Sequence, residues 1–372
     1  MTAFGSASRV VAAVLALAFV GGCASPLATL STRPSDAVAS AEDVARGQQL
    51  FPFRAPGGAW GFMTADGEVA VPARFEGASE FREGRAIVEV DGRSGAIDPS
   101  GRIVVEPIYD EVTPFADGRA RVQVGSGADR RFGFVAPDGQ EVVAPTLPRA
   151  TVFRDGLSVV RLREEKLTLV QQILIQIGGG TPSDRIVAID ENGGVVLRFP
   201  HDEVAAFSEG LAAFQVEEGT WGYLDPDGAV VIGPQFEGPA LAFSEGLARV
   251  GQDGRIGYVD SAGRFVIDPQ FDAAGPFSEG LAAVRVGGRW GYVDVEGDLV
   301  VEPQFQQAGP FSEGRAAVRL GGVWGYVDAD GGAVIEPAYR TARPFRNGLA
   351  VVFQGGRPLL VDRAGDLVEP RP

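Results

Sequence analysis

Very few side chains in this 372-residue sequence could carry a reaction. The one histidine, His201, lies beside Asp202, but no second histidine and no serine in a Gly-x-Ser-x-Gly elbow accompany it, so no hydrolytic triad is indicated. A histidine in a turn is the simpler reading. Lys166 is the single lysine and the single candidate amine nucleophile. With one His there is no multi-histidine metal shell, and with one Cys there is no intrachain disulfide. Asp225-Pro226-Asp227-Gly228 and Asp328-Ala329-Asp330-Gly331 begin like calcium loops. Such loops need roughly six oxygen ligands, usually with a distal glutamate, and no such completion follows. Asp98, Asp190, Asp260, Asp294 and Asp362 share the same Asp-x-x-Gly context, which a turn explains in every case. Glu209, Glu245, Glu279 and Glu313 recur as equivalents along the chain. A glycosidase needs two carboxylates ~5–10 Å apart in differing environments, so this ladder reads as a solvated face. No catalytic residue, metal or cofactor is expected, and the chain reads as a non-enzyme.

The residue type with the clearest chemistry is a thiol. Val10 to Val20 is an almost wholly apolar run of eleven residues behind Arg9. That is too short to span a bilayer, which needs about 20, but suits the core of a secretion signal. The run closes Val20-Gly21-Gly22-Cys23, which resembles the bacterial lipobox. The resemblance implies a diacylglycerol thioether on Cys23, cleavage just before it and acylation of the new amino terminus. Residues 1–23 are then a lipoprotein signal peptide, residues 24–50 a small-residue tether, and the membrane a partner through the anchor. Ser25 gives no inner-membrane retention signal, so the periplasmic face of the outer membrane is expected in a Gram-negative host. A net charge of −16 argues against nucleic acid as a partner.

The elements that position everything else are repeats. Phe-Ser-Glu-Gly occurs at Phe207–Gly210, Phe243–Gly246, Phe277–Gly280 and Phe311–Gly314, with looser forms ending at Gly84, Gly118, Gly156 and Gly348. A second series closes at Gly67, Gly101, Gly139, Gly193, Gly228, Gly263, Gly297, Gly331 and Gly365, giving nine turns at a basic period of 34. Within a unit, Leu281 to Val286, Trp290 to Asp294 and Leu299 to Val301 read as three short strands. Gly287-Gly288 and Asp294-Val295-Glu296-Gly297 join them, and Pro303 ends the third, because proline cannot donate in a central ladder. Fifty-two glycines and 25 prolines are thereby assigned mostly to turns. Extra residues at about 163–184 interrupt the array, and they read as a lengthened hairpin or a contact site.

Trp60-Gly61-Phe62, Trp221-Gly222-Tyr223, Trp290-Gly291-Tyr292 and Trp324-Gly325-Tyr326, with recurrent Pro-x-Phe and Phe-x-x-Gly segments, resemble the bacterial WG-repeat proteins over residues 51–372. Tryptophan gives way to Ser94, Phe132, Ile186, Ile256 and Pro358 in the other units. The resemblance implies an all-β array of about nine three-stranded units, with no shared enzymatic activity. A stacked solenoid or superhelix is favoured over a closed propeller, because propeller blades usually have four strands and ~40–50 residues. Trp60, Gly61, Trp221, Gly222, Trp290, Gly291, Trp324 and Gly325 are then structural signature residues. The expected function is a membrane-anchored interaction scaffold that binds an envelope protein, with cell-wall glycan binding through aromatic grooves as the alternative.

Overall fold

The computed structural model describes residue 45, residues 50–162 and residues 186–371, apart from 202, 217, 218 and 239. Cys23, the tether except Ala45 and Leu50, Lys166 and the insertion at 163–184 lie outside the described residues.

The described chain forms nine separate antiparallel sheets in sequence order, eight of four strands and a first one of three. The sheet over residues 273–305 shows why this sequence builds it. Its strands are Ala273–Ser278, Leu281–Val286, Arg289–Val293 and Leu299–Phe305. Glu279 and Gly280, at φ 56° and 78°, make a two-residue hairpin between the first pair, and Gly287 and Gly288, at 59° and 81°, make the next. Two left-handed residues give a turn whose twist matches that of the flanking strands, which is why glycine recurs there. The Asp294 carboxylate then accepts the Asp298 N–H at 2.8 Å and fixes the last turn.

Both faces of each sheet are covered. Ala282, Ala283 and Val284 are consecutive and all buried, as are Tyr292 and Val293 on the next strand. The apolar residues gather into nine clusters, one at every junction between sequential sheets. Each fully buried large side chain contributes roughly 1.5–3 kcal/mol relative to exposure. The ninth cluster joins Phe51, Phe53 and Met63 of the first sheet to Leu349, Val351 and Leu360 of the last. Arg371 N–H donates to Gly67 O at 2.5 Å across the same junction. The sheets therefore close into a ring of nine blades, with the Phe-x-x-Gly hairpins of several blades lining a shared cavity.

This overturns the expected stacked array of three-stranded units. The segment from Gln307 to Ser312 contains Gly309-Pro310 and reads as a connection. It is instead the first strand of the following blade, with Pro310 inside a register shift between Ala308 and Phe311. Counting such a strand makes every later blade four-stranded, within 34 residues in the regular units, since two-residue hairpins shorten the unit below the usual propeller length. Pro303 likewise does not end its strand, which runs on through it to Phe305. That strand is the blade's last and so has a free edge, where proline is tolerated.

The first blade has the described strands Leu50–Arg54, Trp60–Thr64 and Val69–Phe75. In the second blade Ile87 donates its N–H inward to Ser79 Oγ at 2.9 Å. The matching position in the first blade is Pro52, which has no N–H to satisfy.

Candidate functional site

The Trp-Gly-aromatic signature lies on the next-to-last strand of its blade. An ideal Cβ on Gly291 would stand 2.3 Å from Val301 O and 2.8 Å from Pro303 N, so the outer strand's backbone occupies the space a side chain would need. Gly61, Gly222 and Gly325 meet the outer strand in the same way, at 2.6, 2.4 and 2.4 Å from a carbonyl oxygen. The contact coincides with a bulge, as the pairing slips between Trp290 and Tyr292. In the fourth blade Val187 replaces this glycine, its outer strand lacks proline, and Ile186, Val187 and Ala188 pair without a slip. Glycine, the slip at the signature position and proline thus occur together or not at all in these two blades, although the fourth has a later slip between Ala188 and Ile189.

Trp60, Trp221, Trp290 and Trp324 are half-buried and packed against the inter-blade clusters. Tyr223, Tyr258, Tyr292 and Tyr326 are fully buried, each donating its hydroxyl to a carbonyl of the next blade's first strand region, as Tyr292 does to Gly309 O at 2.8 Å. Burial pushes all four phenols above the usual tyrosine range. These rings hold neighbouring blades together and none faces a ligand-sized opening.

The acidic ladder is also spoken for. Glu279 sits in the left-handed hairpin and its carboxylate accepts two N–H groups of the next hairpin, Glu313 N at 2.6 Å and Gly314 N at 2.8 Å. Glu245 and Glu209 do the same one and two blades earlier. Glu209, Glu245 and Glu279 are exposed, as a solvated face requires, and the same ladder is a chain of inter-blade clasps. Glu313 accepts Gly348 N–H and Arg363. Burial opposes ionisation of Glu313, but the Arg363 hydrogen bond and the Gly348 and Asn347 N–H groups outweigh it and hold the carboxyl below its ordinary range. The turn aspartates behave as read from sequence: Asp260 Oδ1 accepts Ala262 and Arg264 N–H at 3.0 Å each. No group of His, Cys, Asp and Glu among the described residues is arranged to hold a metal. The His201 ring packs 4.2 Å from the Phe214 ring, on the blade core.

Two surfaces are left unspent by the packing. The outer strands of consecutive blades expose Val196, Val231, Val266 and Val300, at 53%, 45%, 43% and 41%. These form an aliphatic rim on strands with free edges. The second surface is a cavity of about 580 Å³ lined by several Phe-x-x-Gly hairpins, with Arg82, Arg154 and Arg346 and the carboxylates Glu80, Glu83, Asp117 and Glu313 in its wall. Neither stood out in the sequence. The signal for the cavity was the loss of serine at the second position of the looser Phe-x-x-Gly forms. A further groove of about 580 Å³ opens at the closing junction, where Pro358 stands in the tryptophan position.

A family model described as "WG containing repeat" matches residues 60–93, 95–126, 132–165, 188–219, 221–255, 256–290, 290–324 and 324–357. No curated protein matches the chain in sequence. Among solved structures, a crystal structure of the eukaryotic initiation factor aligns with a TM-score of 0.61 at 13% identity, over 86% of this chain and 94% of that one. At that identity the likeness shows the fold alone. BamB from Moraxella catarrhalis aligns over 86% of this chain and 95% of its own, at 13% identity, with a TM-score of 0.36.

Proposed function

The chain belongs to the WG-containing repeat family, and from that premise we propose that it is a non-catalytic interaction scaffold held at a membrane through a lipid on Cys23. The observation that carries the scaffold reading is the aliphatic rim. Val196, Val231, Val266 and Val300 stand at comparable places on four successive blades and remain in water. Exposed apolar side chains repeated on successive blades suit a protein contact. The signature aromatics and the glutamates, by contrast, are occupied in joining blades. The glycan alternative has less support, because the four tryptophans are half-covered in inter-blade seams.

The anchor rests on Val20-Gly21-Gly22-Cys23. No helix among the described residues is long and apolar enough to cross a membrane. An acylated Cys23 supplies attachment, and the outer membrane's periplasmic face is the proposed location in a Gram-negative host. Labelling cells with an alkyne fatty acid tests it, with Cys23→Ala expected to lose both label and membrane fractionation. Equal labelling of the two would sink the anchor. For the rim, in-cell proximity labelling of the full chain is compared with Val231→Glu/Val266→Glu. The variant is expected to lose specific envelope neighbours, and an unchanged neighbour set would remove the rim from the scaffold reading.

A further inference from the structure

A salt bridge that recurs in the ring is missing from the third blade, although its arginine is kept. Arg93 opens a strand of the second blade and pairs with Asp110, the residue that follows that blade's last strand. Arg255 and Asp272 stand in the same relation in the sixth blade. In the third blade Arg131 opens the matching strand, Arg131–Val135, but the residue after the last strand, Glu141–Leu147, is Pro148. The guanidinium is present without its carboxylate.

The same blade gathers further positive charge. Before Arg131 the usual two-residue hairpin is replaced by a turn that holds the short 3-10 helix Gly127–Asp129 and then Arg130. Arg130 is exposed and Arg131 half-buried, and neither is bonded to a carboxylate among the described residues. Arg131 donates instead to the Ala128 and Arg130 carbonyls, at 3.0 and 2.6 Å. These two arginines, with Arg121 and Arg149, line a groove of about 550 Å³ that Phe132 and Pro148 also line. Arg121 lies over the Phe132 ring, 4.9 Å from its centre. Burial holds the Arg121 guanidinium below its ordinary range; Glu111 opposes this and Arg130 adds to it, so these charges act on one another.

The acids nearby do not cancel this charge. Glu111 is the acid of the groove wall, 3.9 Å from Arg121. Just outside it Glu203 pairs with Arg149 at 2.5 Å, Asp110 is taken by Arg93, and Asp129 is exposed on the turn. Arg161 lies across the strand pair from Arg149. Those four acids, set against Arg93, Arg121, Arg130, Arg131, Arg149 and Arg161, leave the neighbourhood positive in a chain whose net charge is −16. Exposed charges more than ~10 Å away are largely screened at 0.1 M salt, so the local excess decides what the groove attracts.

We propose that this groove binds a small organic acid carrying two carboxylates. One carboxylate takes the place facing Arg131 that Asp110 takes facing Arg93, and the second answers Arg130. A carboxylate is favoured over other anions because the fold seats one against the matching arginine in two other blades, and guanidinium forks bind it bidentately. The groove's volume is in the range of small-molecule sites. Pro148 leaves the position open, and restoring an acid there supplies the test.

Succinate is titrated calorimetrically into the full folded chain at 0.1 M salt, beside its half-amide succinamate and inorganic phosphate. The native chain is expected to bind one succinate, with succinamate roughly tenfold weaker for want of one charge-assisted contact. Pro148→Asp supplies an internal carboxylate to Arg131 and should lose at least about tenfold in affinity, as should Arg131→Gln. Arg255→Gln breaks the matching pair in another blade and should bind as the native chain does. Succinate should also raise the melting temperature of the native chain more than that of Pro148→Asp. No binding to the native chain, unchanged binding by Pro148→Asp or by Arg131→Gln, or an equal loss in Arg255→Gln would each overturn the site. Equal affinity for succinamate, or tighter binding of phosphate, would overturn the dicarboxylate assignment.

Discussion

The α-carbon of Gly291 faces the carbonyl oxygen of Val301 so closely that a methyl group on it would lie 2.3 Å away. The second letter of the signature thus records a backbone approach and not a special φ, since Gly291 is absent from the left-handed residues. Gly291→Ala must push back the outer strand and is expected to destabilise the ring by about 1–3 kcal/mol. Gly233, two residues before Gln235 on another outer strand, has nothing within 4 Å of an added Cβ. Gly233→Ala should therefore be neutral or stabilise by a few tenths to about 1 kcal/mol. Urea denaturation of both variants checks this, and similar losses in the two would refute the contact argument.

Glu279 joins two hairpins through a carboxylate that receives two N–H groups, while its own φ of 56° is unfavourable for a side-chain residue. Glu279→Ala keeps the strain and loses the clasp, at about 1–3 kcal/mol. Glu279→Gly loses the clasp and relieves the strain, so it should be the milder change by roughly 1 kcal/mol. Thermal melts should rank native above Glu279→Gly above Glu279→Ala. The reverse order of the two variants would show that the carboxylate is not what holds this position.

Much of the blade was legible from residues that act locally. Glycine doublets, Asp-x-x-Gly turns and the 34-residue period each encode a conformation within a few positions, and the structure has hairpins or turns at them. The fourth strand was not legible because Gly309-Pro310 carries the local signature of a break, and only pairing with Arg315–Leu320 turns it into a bulged strand. Closure was hidden for a different reason. It depends on Phe53 meeting Leu360, some three hundred residues along the chain, and on a small rotation per blade that no single unit reveals. The clasping role of Glu279 was hidden in the same way, since its acceptors' partners lie 34 and 35 residues away.

Acid should loosen the junction between the eighth and ninth blades. The Glu313 carboxyl is held below its ordinary value of 4.5, so ionisation favours the folded state. A depressed folded value contributes stability that is present above the unfolded value and is lost as pH falls through the folded one. Native chain and Arg363→Ala should therefore differ in stability at pH 6, and the difference should shrink below about pH 4. Urea midpoints across that range provide the check. A difference that stays constant with pH would mean that Arg363 does not act through Glu313.

Gly67 provides the sharpest test that the ends of the array meet. Its φ is 85°, and a Cβ there would lie 2.2 Å from the backbone oxygen of Glu369, in the last blade. The equivalent glycines meet the blade before them, as Gly331 meets Val301 and Gly365 meets Ile335, so Gly67 occupies the same relation across the closure. Gly246 has a similar φ of 79° with open space around it. Placing alanine at either position incurs the left-handed strain of roughly 1–2 kcal/mol, but only at Gly67 does it also collide with backbone. Gly67→Ala should thus be the more destabilising. Hydrogen exchange should quicken in residues 349–371 as well as in residues 50–75, while the blade at 273–305 stays protected. In an open stack, residue 67 and residue 369 would lie at opposite ends and the change could not reach the last blade. Exchange confined to the first blade would therefore refute the closed ring.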